Sequence, residues 1–174
     1  MGYRFVVHTF QTKLKQVKVE KGTILQRKGD PCRNVYHVES GLLRAYSIDR
    51  KGREYIFMFA PEGWIVADSA LPEEACELFI DALEDSTILK YDKLEDVASN
   101  ESSKLIKRIR VLQKRVIMLM SASALERYED FLDTYPDIVR RVPQKMIASY
   151  LGITPEALSS IKRKRINKQR DKKK

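Results

Sequence analysis

Apolar and polar positions change their rhythm twice along the chain. From Val17 to Tyr91 they come in short runs, VYHVES, LLRAYSI, EYIFMFA and WIVA. These runs are rich in β-branched and aromatic residues and alternate in part, as strands with one buried face do. Glycines at 22, 29, 41, 52 and 63 punctuate them, and DRKG at 49–52 reads as a hairpin turn with Gly52 in the left-handed position. After Leu71 the segment PEEACE interrupts the pattern, and LFIDAL and STILKY then add two strands. Turns at this steady spacing predict an antiparallel β-roll of roughly eight strands. Before Val17, where Tyr3, Phe5 and Val7 alternate, only a short lead-in helix or strand is expected.

The period then becomes helical. Asp92 with Glu95 makes a capping box that would open a short helix over DKLEDVASN. A longer helix is predicted from about Glu101 to Ser121. Its apolar residues Leu105, Ile109, Leu112, Val116 and Leu119 step by 4, 3, 4 and 3, which is a heptad seam. Lys107, Arg108, Arg110, Lys114 and Arg115 lie off that seam. Such a stripe either packs on the β domain or joins two copies of the chain, and a clean two-stranded stripe favours the dimer. Ala124 to Tyr135 forms the next helix, stopped by Pro136.

Pro143 begins a pair of short helical faces. In VPQKMIASYLGITPEALSSIKRKR (142–165) apolar residues fall at Met146, Ile147, Leu151, Ile153, Leu158 and Ile161, with a break at Gly152. Glycine supplies the positive φ that a tight turn between helices needs. Thr154 is placed to cap the second helix, Pro155 suits its first position, and Glu156 favours the positive end of its dipole. Ala148 lies four residues before the glycine, where a larger side chain would hold the helices apart. This is the spacing of a DNA-binding helix-turn-helix, although an ordinary helical hairpin has the same outline.

Charge separates those two readings. The formal net charge is +9, and from Lys162 to the end nine of thirteen residues are Lys or Arg against the single acid Asp171. A basic end on a near-neutral body is the footprint of nucleic-acid binding; a solvated tail is the alternative for the last lysines. With 43% hydrophobic residues the composition is that of a soluble globular protein. No apolar run approaches the ~18 residues of a membrane span, and the first residues lack the core of a secretory signal, so a cytosolic protein without a membrane partner is expected.

Candidate chemistry is sparse. Cys32 and Cys76 belong to no CxxC pair, so a zinc or cysteine-ligated iron–sulfur framework is missing and two buried reduced thiols are expected. His8 and His37 are too scattered for a metal centre, a haem with one axial histidine being the remaining alternative. No cofactor is predicted. No Ser-His-Asp, Cys-His or phosphate-loop constellation appears, and His37 without an HxH argues against a metal-dependent cupin, so an enzyme is not expected.

The order of parts resembles the transcription regulators of the cyclic-AMP receptor protein and FNR family, Crp/Fnr, over residues 17–165. KGTILQRKGD (21–30), VYHVESGLLRAY (35–46), DRKGRE (49–54), the Glu-Gly before Trp64 and IASYLGITPEALS (147–159) carry the likeness. The resemblance implies an α+β fold: a β-roll sensor domain over 1–100, a dimerisation helix over 101–122, and a helix-turn-helix domain with a basic tail over 123–174. It implies a homodimer on double-stranded DNA, with RNA polymerase and a small-molecule effector as further partners. Thr154, Pro155, Glu156, Ser159, Ser160 and Arg163 would lie on the outer side of the second helix. Glu156 matches a base-reading glutamate, while Lys162, Arg163, Lys164 and Arg165 suit phosphates.

Two departures qualify the likeness. Cyclic-nucleotide-binding members carry Gly-Glu and then an Arg-Ser/Thr-Ala cluster, whose backbone N–H groups and arginine hold the cyclic phosphate. Here the two positions read Ala67-Asp68 and Glu77-Leu78-Phe79, and no arginine occurs between Arg53 and Arg108. A phosphate would meet Glu77, an interaction of the wrong sign, so cyclic AMP binding is not expected. Asp68, Glu77 and Phe79 are then the candidate lining of a pocket for another effector. At the end, INKQRDKKK stands where many members have a β-hairpin wing, and the start is short against the usual family N-terminus. A ligand-binding roll whose helical end serves protein contacts is the competing reading.

Overall fold

The computed structural model describes residues 15–93 and 102–171, with side chains described over 15–93 and 109–167. Eight strands come first: β1 (Lys15–Val19), β2 (Ile24–Gln26), β3 (Asn34–Ser40), β4 (Leu43–Ile48), β5 (Glu54–Ala60), β6 (Ile65–Val66), β7 (Phe79–Ala82) and β8 (Ser86–Asp92). They pair antiparallel in two four-stranded sheets, in the orders β1-β8-β3-β6 and β2-β7-β4-β5. Val19, Tyr36, Val38, Leu43, Ala45, Ile80 and Ile88 form the core between them. The glycine before β4 is there for lack of space as well as for its φ of 91°: a Cβ on Gly41 would lie 2.6 Å from the Asp85 carbonyl oxygen and closer still to Ser86 Oγ.

Five helices follow: α1 (Ser102–Ser121), α2 (Ala124–Thr134), α3 (Ile138–Arg141), α4 (Gln144–Leu151) and α5 (Pro155–Asp171). The capping box expected at Asp92 and Glu95 lies outside the described residues. One is found at Ser123, whose hydroxyl accepts from the Glu126 N–H while its own N–H donates to the Glu126 carboxylate at 2.7 Å. Helix α5 continues to Asp171, so the basic run begins as helix. Among the described residues no helix is long and apolar enough to cross a membrane.

The alternation expected of LLRAYSI is not kept, for a tertiary reason. Leu43, Arg44, Ala45 and Tyr46 are all buried. Their sheet is covered on both faces, by the other sheet on one side and by the helical end on the other. Leu42, Tyr46, Ile56 and Phe59 of the roll share a second core with Phe131, Tyr135, Ile147, Leu151 and Leu158. The Phe59 ring lies 6.3 Å from that of Phe131, 5.9 Å from Tyr135 and 5.8 Å from Tyr150. Ser149 Oγ donates to the Glu54 carbonyl at 2.6 Å and accepts from the Ile56 N–H at 3.0 Å, tying α4 to β5.

Arg141 closes the same junction from α3. Its guanidinium donates to Glu84 at 2.7 Å, to Glu62 at 2.9 Å and to the Gly41 carbonyl at 3.0 Å. The hydrogen bond from Arg141 holds the Glu62 carboxyl below its ordinary value. A depressed carboxylate stabilises the fold above its unfolded pKa, and that contribution disappears as pH falls through the folded value. Arg141→Gln should therefore lower stability at pH 7, with the gap to wild type narrowing as pH drops below about 4. Urea titrations at pH 7 and pH 3 measure it; a gap that widens on acidification contradicts the assignment.

Candidate nucleic-acid interface

Helix α4 ends where the backbone turns left-handed at Gly152, with φ 67° and ψ 36°. The Ile153 N–H then reaches back to the Ala148 carbonyl at 3.0 Å, satisfying a free helix end. Thr154 Oγ1 accepts from the Ala157 N–H at 3.2 Å, and Pro155 starts α5. Leu158 and Ile161 turn inward against Ile147, Ala148 and Leu151, all buried. Ala148 has no exposed surface to spare, in keeping with its place in the helix crossing. Glu156, at the first turn of α5, has its carboxyl pKa lowered by its own backbone N–H and by the Thr154 hydroxyl.

The opposite side of α5 faces outward. Thr154, Pro155, Glu156, Ser159, Arg163 and Lys164 are exposed, and Ser160 is half-buried. Ser159 Oγ donates to the Pro155 carbonyl at 3.0 Å, so its hydroxyl is already engaged along the helix. Lys162 sits differently from its neighbours. Its Nζ lies 5.8 Å from the centre of the Tyr128 ring, and partial burial pulls its pKa down. A lysine held over an aromatic face is a weaker phosphate contact than the free Arg163 and Lys164.

Two arginines hold this unit in place, and neither stands out in the sequence. Arg127 of α2 donates through Nη1 to the Leu151 carbonyl at 2.8 Å, at the very end of α4. Arg115 of α1 donates to the Tyr150 carbonyl and lies 3.6 Å over the Tyr150 ring. Both cap carbonyls that the turn exposes, a task that any nearby basic side chain can do and that leaves no spacing signature. Lys114 adds a 2.9 Å ion pair from α1 to Asp130.

The seam of α1 is uncovered. Ile109 and Val116 are each 54% exposed, Leu112 and Leu119 are also open to solvent, and Leu105 lies where side chains are outside the described residues. The apolar surface is wider than the heptad predicts, since Ile117 is 55% and Met120 83% exposed beside it. On a helical wheel these two continue the same side, which is the width of a face that meets more than a single narrow ridge.

In the roll, Asp68 is buried, with 2% of its surface exposed. Its carboxylate accepts from the backbone N–H groups of Leu78 at 2.7 Å, Glu77 at 2.8 Å and Ala70 at 3.0 Å. It thus occupies the N–H cluster that the family resemblance assigns to a cyclic phosphate. Glu77 projects its side chain to solvent, and the Phe79 ring stacks on Tyr46 at 5.4 Å, next to the helical core. None of the three borders the cavity at the end of the roll or the one at its junction with the helices.

Behind Asp68 lie the thiols. Cys32 and Cys76 are free and fully enclosed. Distant in sequence, they are brought together by the bridge between Pro31 and Ala75. Burial, and then the hydrogen bond with Cys32, pushes the Cys76 thiol up to about 12. Lys93 Nζ reaches Cys32 Sγ at 3.1 Å and the Asp68 carbonyl at 2.7 Å. Among the described residues no group of His, Cys, Asp and Glu is placed to hold a metal ion.

Residues 16–97 match the cyclic nucleotide-binding domain family. The likeness continues past the roll: the chain is 28% identical over 163 residues to the regulatory protein HlyX of Actinobacillus pleuropneumoniae, covering 82% of this chain and 68% of that one. Across the roll and the helices, the chain is thus similar to regulatory proteins of the Crp/Fnr kind. Its fold is also that of FixK2 from Bradyrhizobium japonicum, with a TM-score of 0.73 at 19% identity over 90% of this chain and 86% of that one. A putative Crp/Fnr-family regulator from Eubacterium rectale aligns with a TM-score of 0.60 at 21% identity, over 87% of this chain and 77% of the other. The chain spans 60–68% of the length of these curated relatives.

Proposed function

We propose that the protein regulates transcription by binding double-stranded DNA as a homodimer, with α5 as the reading helix and the seam of α1 as the dimer contact. The observation that carries this reading is the division of α5 itself. One side, Leu158 and Ile161, is buried in the core, while the other presents Thr154, Pro155, Glu156, Ser159, Arg163 and Lys164 to solvent. Two such helices held by one coiled seam fit adjacent major grooves, about one turn of DNA apart. Glu156 accepts from a cytosine amino group, and Ser159 and Ser160 meet base edges or phosphates. Arg163 and Lys164 bind phosphates, with Lys162 behind them. RNA polymerase is the partner through which the bound dimer would act.

Selection from a random DNA pool should return a two-fold-symmetric site. Affinity for that site should fall by ~10³-fold or more between about 50 and 200 mM salt. Arg163→Gln should make the salt dependence shallower by about one charge, whereas Glu156→Gln should alter base preference by ~1–3 kcal/mol at a single position. Scattered, asymmetric fragments without a salt slope would replace the regulator by the protein-contact reading.

The roll is not proposed to bind cyclic AMP. Asp68 already fills the N–H groups that would hold the phosphate, and Glu77 stands where an arginine is needed. No thermal shift is expected with cyclic AMP, and a saturable shift at micromolar nucleotide overturns this point.

A further inference from the structure

A cavity of about 360 Å³ opens at the end of the roll where β1 begins and β8 finishes. That volume suits a small organic ligand. The register of three strands builds its wall. Lys15 stands opposite Lys90, Lys90 opposite Tyr36, and Asn34 opposite Asp92. Side chains alternate along a strand, so Lys15 and Lys90 share a face with Val17 and Ile88, the face turned toward the second sheet. Ile88 and Tyr36 are buried there, and Val17 and Leu25 pack against the same core.

Lys15 is exposed and Lys90 half-buried, so the two ammonium groups stand opposite one another at the mouth of the cavity, above its apolar floor. Among the described residues neither ammonium forms an ion pair. Asp92, on the same wall, is engaged, and the Tyr36 hydroxyl is spent on the Leu25 carbonyl at 2.9 Å. The wall therefore presents two lysines against the one carboxylate of Asp92, above an apolar floor of Val17, Leu25 and Ile88. None of Asp68, Glu77 and Phe79 borders it.

We propose that this cavity binds a small amphipathic anion, its carboxylate or phosphate between Lys15 and Lys90 and its apolar body on Val17, Leu25 and Ile88. The Asn34 amide, which already hydrogen-bonds the Tyr36 hydroxyl, stands in the same row with a second N–H for the anion. An anion between the two ammonium groups gains attraction from both, which favours it over a neutral ligand of equal size. The site lies at the end of β8, next to the stretch that leads from the roll to α1. Any effect of the anion on DNA affinity rests on the regulator reading above; the binding itself does not.

The full chain should be titrated with hexanoate and with hexyl phosphate, using hexan-1-ol and hexylammonium as controls, by calorimetry and thermal shift. Saturable binding of at least one anion is expected, and the tighter of the two identifies the headgroup. Neither control should bind. Lys15→Gln/Lys90→Gln should weaken the anion by about tenfold or more, and Lys90→Arg should retain it. Both variants should keep the parent's melting temperature and its DNA affinity without added anion. Failure of both anions to bind, equal binding of hexan-1-ol, or undiminished binding to the folded double variant overturns the proposal. Anion binding without any DNA binding would instead leave this site standing and remove the regulator reading.

Discussion

A glutamate at Val116 is expected to separate the protein into monomers and to weaken its binding to a two-fold-symmetric DNA site by at least ~10²-fold. Val116 is 54% exposed on α1, so the substitution removes little from the folded subunit. Its effect falls on the seam. A carboxylate at a seam position faces its own copy across the partner helix, in a contact that otherwise excludes water. Without the seam, each reading helix binds a half-site alone and loses the high effective concentration that a joined pair has. Sedimentation should show the monomer at micromolar concentration, and anisotropy on full and half sites should show equal, weak affinities. A variant that stays dimeric with wild-type affinity would mean that the exposed face of α1 serves another contact. Lys114→Glu is the useful control, since Lys114 pairs with Asp130 on a different side of the helix and should leave the assembly state unchanged.

Arg44→Met should destabilise the fold by ~3–5 kcal/mol. Arg44 is buried in β4 and grips Asp81 of β7 with two parallel hydrogen bonds, at 2.8 Å from Nε and 2.9 Å from Nη2. A third, at 2.6 Å, goes to the partly exposed Glu54 of β5, and the guanidinium lies 4.0 Å over the Tyr46 ring. Burial works against the Arg44 charge, but the hydrogen bonds to Asp81 and Glu54 outweigh it and raise the pKa. Removing the arginine strands the Asp81 carboxylate between two strands with no counter-charge. Apolar packing by the methionine does not cure that, whereas Arg44→Met/Asp81→Leu should recover most of the loss, because no unpaired charge is left. Urea denaturation of the single and double variants measures the difference. A double variant no more stable than the single one would show that the cation over Tyr46, rather than the ion pair, carries the stabilisation.

Much of this was legible along the chain. Short apolar runs between regularly spaced glycines gave the eight strands, because a strand covered on one side must alternate and a tight turn needs a residue free of Cβ. Gly152, Thr154 and Pro155 marked the turn and the start of α5, since a left-handed cap, a hydroxyl N-cap and a first-turn proline are local requirements that local residues meet. The 3-4-3 spacing of Ile109, Leu112, Val116 and Leu119 named the face of α1 that the structure leaves open.

What the sequence by itself determined, then, was the set and order of elements and the inward and outward sides of α5, because period and capping are properties of neighbours in the chain. Only the tertiary structure decided that the helical end shares a core with the roll through Phe59, Tyr135 and Tyr150, that β4 is covered on both faces, and that Arg115 and Arg127 brace the turn. It also decided the fate of Asp68, which a linear reading places in a pocket and the fold spends on backbone N–H groups from a segment nine and ten residues away. Contacts of this kind depend on which surfaces meet in space, and no spacing of residues along the chain encodes them.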